Sequence, residues 1–137
     1  MSAGQESAFI TIRDLDTAEV SQLCAEAQSA GIACLRVDLA GCSEKYEFLR
    51  RVALAFEFPE WFGQNWDAFF DCLADFSWQP AEACLLILEN ADEFQRESPE
   101  AFAVARSILD DAATVWHKRG VEMRVLIDAH PDATRED

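Results

Sequence analysis

The stretch ACLLILEN, residues 83–90, decides the fold of this 137-residue chain. Its first six residues are apolar without interruption, and Pro80 stands a few positions before it. An apolar run of this kind is typical of a strand that is covered on both faces, as in a parallel sheet. It is far too short to span a bilayer. The stretch therefore predicts a parallel sheet with helices packed against it.

Amphipathic segments and shorter apolar runs alternate on both sides of this strand. The predicted strands are residues 9–12, 32–40, 83–90 and 121–128. The predicted helices are residues 16–30, 43–58, 65–76 and 98–119. Strands separated by helices imply parallel pairing through right-handed crossovers. We expect an α/β fold, a small parallel sheet of three or four strands packed with helices, with the first strand at an edge.

Residues that start helices support these boundaries. Asp16 and Glu19 have capping-box spacing at the first helix. Ser43 is predicted to cap the second helix, and Ser98 with Pro99 forms an N-cap and N1 pair for the last one. The local signals therefore agree with the periodicity of the apolar residues.

Length and charge limit the class of function. The chain has the length of one domain, and its 50% hydrophobic residues are enough for a core. Its 11 basic and 26 acidic residues give a net charge of −15. That charge excludes nucleic-acid binding through phosphate neutralisation and disfavours anionic membranes. It favours a basic protein partner, unless the acidity serves only solubility.

The N-terminus and the cysteines indicate a compartment. The segment MSAGQESAFITIRDLD has no basic region followed by an apolar run, so we expect no signal peptide. The five cysteines are an odd number without a C-x-x-C pair: Cys24, Cys34, Cys42, Cys72 and Cys84. This pattern predicts buried or free thiols in a reducing cytoplasm.

The segment FPEWFGQNWDAFFDCLADF, residues 58–76, carries the candidate site. A helix with 100° per residue places one group of side chains on the core face: Phe69, Cys72, Leu73 and Phe76. The opposite face carries three aspartates spaced four apart: Asp67, Asp71 and Asp75. Phe70 falls on the shoulder of this acidic face.

The aspartates have structural interpretations as well as functional ones. With Asn65 as the N-cap, Asp67 stands where a carboxylate complements the helix dipole. Asp71 gains less from the dipole, and its repulsion with Asp67 and Asp75 costs roughly 0.2–0.5 kcal/mol per pair. A plain solvated face is the alternative interpretation of Asp71.

Solvation does not explain the aromatic residues beside these charges. Phe70 borders the acidic face, and WFG, residues 61–63, lies just before the helix. Exposed aromatic residues next to clustered charge indicate an interface. The partner is then cationic, because burying uncompensated carboxylates costs several kcal/mol each.

An enzyme is the weaker interpretation of the acidic helix. Asp67 and Asp71 are close enough to share a proton or to hold a divalent ion, but no other feature of the sequence supports catalysis. Ser–His–Asp, P-loop and dinucleotide motifs are missing from the sequence, and one helix stripe is a poor source of ligands for a hard metal.

Cys72 and Cys84 are interpreted as small buried hydrophobic residues. His117 lies in the last turn of a helix, where it complements the dipole, and His130 is in the tail. We expect no catalytic residue, no cofactor and no metal site.

Residues 58–76 resemble the central signature of the barstar family, the intracellular inhibitors of secreted microbial ribonucleases. The residues that fit are Pro59, Glu60, Trp61, Phe62, Gly63, Asn65, Asp67, Ala68, Asp71 and Cys72. The strand ending in Leu88 and Glu89 fits too, as does the order of elements from Cys34 to Asp128. The resemblance covers roughly residues 33–128.

The resemblance implies a barstar-like domain whose acidic helix plugs a ribonuclease active site. Asp71 would be the central anchor in place of substrate phosphate, and Asp67 would contact neighbouring cations. The partner-binding residues are expected to be Trp61, Gly63, Asn65, Asp67, Phe70, Asp71, Asp75 and Phe76. The family's contributing glutamate on the last helix has no match, since residues 114–116 are Thr, Val and Trp.

We predict three parts of the chain. Residues 1–31 are a strand–helix extension packed on the same domain, residues 32–130 are the barstar-like domain, and residues 131–137 are a frayed tail. The expected partner is a basic extracellular-type ribonuclease or nuclease toxin, and the free chain is expected to be a cytoplasmic monomer. The alternative is an acidic interaction domain of the same fold that binds another basic protein without inhibiting a nuclease.

Overall fold

The structure, a computed structural model, describes residues 9–58, 65–75 and 83–130. These ranges form an α/β domain, as predicted. The elements in chain order are β1 (Ile10–Arg13), α1 (Thr17–Ser29), β2 (Ala33–Asp38), α2 (Lys45–Ala55), α3 (Trp66–Ala74), β3 (Ala83–Glu89), α4 (Asp92–Glu97), α5 (Pro99–Lys118) and β4 (Glu122–Asp128). Of the helices in the described ranges, none has the length and apolar character needed to cross a membrane.

The four strands form one parallel sheet in the order β1-β4-β3-β2. β3 pairs with β2 on one side and with β4 on the other, so that Leu88 lies opposite both Val37 and Ile127. Leu86 and Ile87 point to opposite faces of the sheet, and both are fully buried. The prediction of a strand covered on both faces is therefore confirmed. β1 lies at an edge, also as predicted.

The direction of the crossovers explains how the helices are distributed. From β2 to β3 to β4 the chain steps across the sheet in one direction, whereas from β1 to β2 it crosses the sheet in the other. Right-handed crossovers in opposite directions put their helices on opposite faces. The main core accordingly contains buried side chains of α2, α3, α4 and α5, while Val20 and Ala27 of α1 lie outside it.

Of the four predicted N-caps, Asp16 and Asn65 are confirmed, Ser43 is wrong, and Ser98 takes the position without a capping bond. Asp16 caps α1 by accepting a hydrogen bond from the Glu19 amide at 2.8 Å. Asn65 caps α3 by accepting from the Ala68 amide at 2.7 Å. The cap of α2 is Glu44 rather than Ser43, because the two carboxylate oxygens of Glu44 accept from two backbone amides at once.

Ser43 and Ser98 join the starts of α2 and α5. Ser98 occupies the N-cap position before Pro99, as predicted, yet its hydroxyl makes no capping bond. It donates instead to the backbone carbonyl of Ser43 at 2.7 Å. The sequence does not predict the short helix α4 just before Ser98, since six residues are too few for a helical period to stand out.

The cysteines depart from the prediction of free thiols. Cys24 of α1 and Cys34 of β2 form a disulfide with a Cα–Cα distance of 5.6 Å. Cys42, Cys72 and Cys84 are free and buried, as expected. The pairing could not be read from the sequence because it depends on α1 folding back over β2.

Replacing Cys24 and Cys34 together by serine is expected to lower the free energy of unfolding by about 2–3 kcal/mol. The pair is separated by 10 residues, and a cross-link that closes a loop of this size removes that much chain entropy from the unfolded state. Urea unfolding of protein that has first been oxidised, under non-reducing conditions, measures the difference. A dithiol reductant should lower the free energy of unfolding of the wild type by the same amount and leave that of the double variant unchanged. If the stability of the wild type does not change with the reductant, the disulfide is contradicted.

Asn65→Ala is expected to lower the free energy of unfolding by about 1 kcal/mol, because the Ala68 amide at the start of α3 loses its acceptor. Asn65→Asp is the matched control, since its carboxylate accepts the same bond and complements the helix dipole. Thermal unfolding of the three proteins makes the comparison. Equal stabilities of the alanine and aspartate variants would show that the cap contributes nothing.

Candidate partner-binding site

Helix α3 has one buried face and one face in solvent. Phe69, Cys72 and Leu73 are buried in the main core, as the helical wheel predicts. Asp67 and Asp71 are exposed on the other side. Among the described residues neither carboxylate forms an ion pair, so both charges are available in solvent.

Asp75 differs from the other two aspartates. Sequence reasoning extends α3 to about residue 76, but the helix ends at Ala74 and Asp75 is its C-cap with an extended backbone. The Asp75 side chain is half-buried. Because Asp75 lies outside the helix, the helical wheel does not give the direction of its side chain. The acidic row on α3 itself consists of Asp67 and Asp71.

Aromatic side chains flank this row. Trp66 and Phe70, four residues apart on α3, are half-buried and pack against the core. The Trp66 ring lies 6.1 Å from the Phe48 ring of α2. The amino group of Lys45 lies 5.4 Å from the centroid of the Trp66 ring and 5.1 Å from that of Tyr46. A cation held by two rings thus stands beside the start of the acidic helix.

The end of α3 is attached to the end of α5. The fully buried Trp116 donates its indole N–H to the carbonyl of Leu73 at 2.7 Å. Arg119, just after α5, donates to the next carbonyl, that of Ala74, at 3.1 Å. The guanidinium carbon of Arg119 is 5.9 Å from the Trp116 ring centroid. Two consecutive carbonyls at the end of α3 are thereby satisfied by side chains of one neighbouring segment.

Sequence reasoning places Trp116 in the apolar stripe of α5 but misses its contact with α3. It also misses the contact of Lys45 with the Trp66 ring and that of Arg119 with the Ala74 carbonyl. One signal was available: a buried tryptophan needs an acceptor for its indole N–H. Which acceptor it finds depends on how the two helices pack.

The acidic helix also affects the cysteine beneath it. Burial, followed by the nearby charges of Asp75 and Asp71, raises the pKa of the Cys72 thiol to about 11. Burial alone raises the pKa of Cys84 to about 12. Both thiols are therefore protonated at neutral pH. Within the described part of the chain, no group of three or more His, Cys, Asp or Glu side chains could hold a metal ion.

The structure brings five of the predicted site residues together. Asn65, Asp67, Phe70 and Asp71 lie on α3 or at its start, and Asp75 lies at its end. The other three, Trp61, Gly63 and Phe76, lie outside the described residues.

A comparison with protein-family models finds a match to this chain. The model described as Barstar (barnase inhibitor) matches residues 32–128, which include α3 and every strand except β1. A search of curated proteins finds no match to the sequence. The matched range covers well over half of the chain. This chain therefore belongs to the barstar family.

Proposed function

We propose that this protein inhibits a basic ribonuclease or nuclease toxin by placing α3 in the enzyme's active site. One observation carries the proposal: Asp67 and Asp71 lie side by side in solvent on a helix whose other face is buried. Membership of a family described by its inhibition of barnase supports a ribonuclease as the target class.

The chemistry of such a target fits the acidic helix. A ribonuclease binds the phosphates of RNA, so its active site carries cationic side chains. We assign Asp71 the central position, where its carboxylate replaces a phosphate, and Asp67 the adjacent cations. Hydrogen bonds between carboxylates and arginine are strong when water is excluded. The net charge of −15 would also draw a basic enzyme towards the protein over long range.

The repulsion between the aspartates supports binding rather than solvation. Asp67 and Asp71 are one turn apart and have no cation paired with them within the described ranges. Like charges at this spacing destabilise an isolated helix. A cationic partner removes that repulsion when it binds, and the helix does not have to reorganise because its buried face is already packed.

Aromatic residues would surround the charged contact. Phe70 is half-buried and packs against the core, so part of its ring remains exposed at the border of the acidic face. We propose that this exposed part packs against the rim of the active site. Trp61, Gly63 and Phe76 are assigned to the same interface by their positions in the family signature, with Asn65 and Asp75 at the two ends of α3.

We further propose that the protein acts without turnover. Family members are inhibitors, and the raised pKa values of Cys72 and Cys84 leave neither thiol as a nucleophilic thiolate at neutral pH.

The cytoplasm is the compartment we propose, because barstar-like inhibitors are intracellular. Cytoplasmic dithiols would keep Cys24 and Cys34 reduced, so the disulfide would form only after exposure to oxidant. Cells quenched in acid, denatured and treated with an alkylating agent should then yield protein with five labelled cysteines. Only three would be labelled, Cys42, Cys72 and Cys84, if the protein resided in an oxidising compartment.

Asp71→Ala is expected to weaken inhibition of a small basic ribonuclease by roughly 30-fold or more, the loss typical of a residue at the centre of an interface. Barnase is the first enzyme to test, followed by other small basic secreted ribonucleases. The melting temperature should barely change because Asp71 is exposed. Asp111→Ala removes the same charge from an exposed position on α5 and is the matched control.

These measurements separate the two interpretations of the acidic helix. Equal effects of the Asp71 and Asp111 changes would remove Asp71 from the interface. Tight binding of an enzyme whose RNA cleavage continues would favour the interaction domain without inhibition. A wild-type protein that inhibits none of the enzymes, at low or moderate salt, overturns the proposed function.

Phe70→Ala is expected to accelerate dissociation of the complex and to leave the association rate nearly unchanged, because a ring acts only at short range. Leu54→Ala, at an exposed apolar position of α2, is the control and should alter neither rate. Surface-based kinetic binding measurements give both rates. An association rate that falls while dissociation stays constant would contradict the assignment of Phe70 to the rim.

A further inference from the structure

We propose that Trp116 and Arg119 are positioning residues, which hold the last turn of α3 in the orientation that Asp71 needs to bind its partner. The proposal rests on the proposed function of α3. It adds two residues of the α5 end that would not touch the partner's catalytic groups themselves but would act through Asp71.

The last turn of α3 needs support from outside the helix. The final carbonyls of any helix lack partners within it, and a helix of nine residues is too short to be stable alone. No glycine follows α3 to close it, since Asp75 takes the C-cap position with an extended backbone. The local sequence therefore leaves the end of α3 dependent on its neighbours.

α5 supplies that support through two adjacent bonds. The indole N–H of Trp116 reaches the Leu73 carbonyl at 2.7 Å in a fully buried position. Arg119 reaches the Ala74 carbonyl at 3.1 Å, and its guanidinium lies over the Trp116 ring. The ring thus holds the guanidinium by a cation–π contact while both groups hold α3.

These bonds lie close enough to Asp71 to orient it. Leu73 and Ala74 follow Asp71 by two and three residues, within the same helical turn. Fixing their carbonyls fixes the backbone from which the Asp71 side chain projects. A carboxylate held in its bound orientation loses less freedom on binding, which slows dissociation of the complex.

The charge of Arg119 has a separate and opposite effect. A cation at a helix C-terminus complements the dipole, but it also reduces the attraction of the acidic helix for a basic enzyme. Removing the charge should therefore speed association. Loss of the supporting bond should speed dissociation, so measuring the two rates separately distinguishes the two effects.

The test compares two variants with two controls. Trp116→Phe keeps a ring but loses the indole donor, and Arg119→Gln loses the guanidinium at an exposed position. Arg106→Gln makes the same charge change further back on α5. Phe102→Leu replaces a buried aromatic ring of α5 by a smaller side chain. This variant shows what a general loss of fold stability does when both bonds to α3 are kept.

Amide hydrogen exchange of the free proteins is measured first, because it requires no partner. Residues 70–75 should exchange roughly two- to tenfold faster in Trp116→Phe and Arg119→Gln, the change expected from one lost hydrogen bond. The Arg106 and Phe102 variants should show no such local increase. Arg119→Lys, which keeps a donor and the charge, should restore part of the protection. Uniform exchange across all variants overturns the proposal.

Dissociation from barnase, or from the ribonuclease that the wild type binds, is measured next. It should be roughly two- to tenfold faster in Trp116→Phe and Arg119→Gln and unchanged in both controls. Adding Trp116→Phe to Asp71→Ala should have little further effect if Trp116 acts through Asp71. Fully additive effects would overturn the positioning role, because they are the result expected if Trp116 only stabilises the fold.

The two proposals fail in different ways. Wild-type binding with unchanged dissociation in both α5 variants overturns the positioning role and leaves the proposed function standing. A wild type that binds none of the ribonucleases overturns the proposed function, and the positioning role with it.

Discussion

The burial of one face of α3 is the constraint on which the proposed site depends. Phe69 and Leu73 are fully buried, and the Phe69 ring meets the Phe48 ring edge-on at 5.6 Å. Burial of side chains of this size contributes about 1.5–3 kcal/mol each. Repulsion between Asp67 and Asp71 is several times weaker. The core therefore sets the rotation of the helix about its axis, and the two carboxylates are held together in water as a consequence.

The topology of the sheet separates the acidic helix from the disulfide. Because the β1–β2 crossover runs against the others, α1 lies on the opposite face from α3. The Cys24–Cys34 bond therefore joins elements away from the acidic row. β1 nevertheless pairs along its length with β4, and the Asp128 carboxylate of β4 accepts a hydrogen bond from the Leu15 amide at 2.8 Å. The first strand is thus bound to the strand that follows α5.

Local patterns were sufficient for some features and failed for others. The apolar run from Ala83 to Leu88 identified a buried strand because a strand between two covered faces needs apolar residues at every position. Residue type alone predicts Ser43 as the cap of α2, but the neighbouring Glu44 offers two acceptors. The Ser43 carbonyl accepts a hydrogen bond from the Ser98 hydroxyl. The sequence does not predict this contact, because the two residues are far apart along the chain.

The sequence by itself determined the parallel α/β class, the division of α3 into buried and acidic faces, and the family. These features follow from side-chain order along one element, where periodicity is a local property. Only the tertiary structure decided that Cys24 meets Cys34, that α3 ends before Asp75, and that Trp116 and Arg119 hold its final carbonyls. The disulfide and the two bonds to α3 depend on the distance between separate elements, which packing sets and sequence spacing does not encode. The end of α3 coincides with these bonds, since its last two carbonyls accept from side chains at the end of α5.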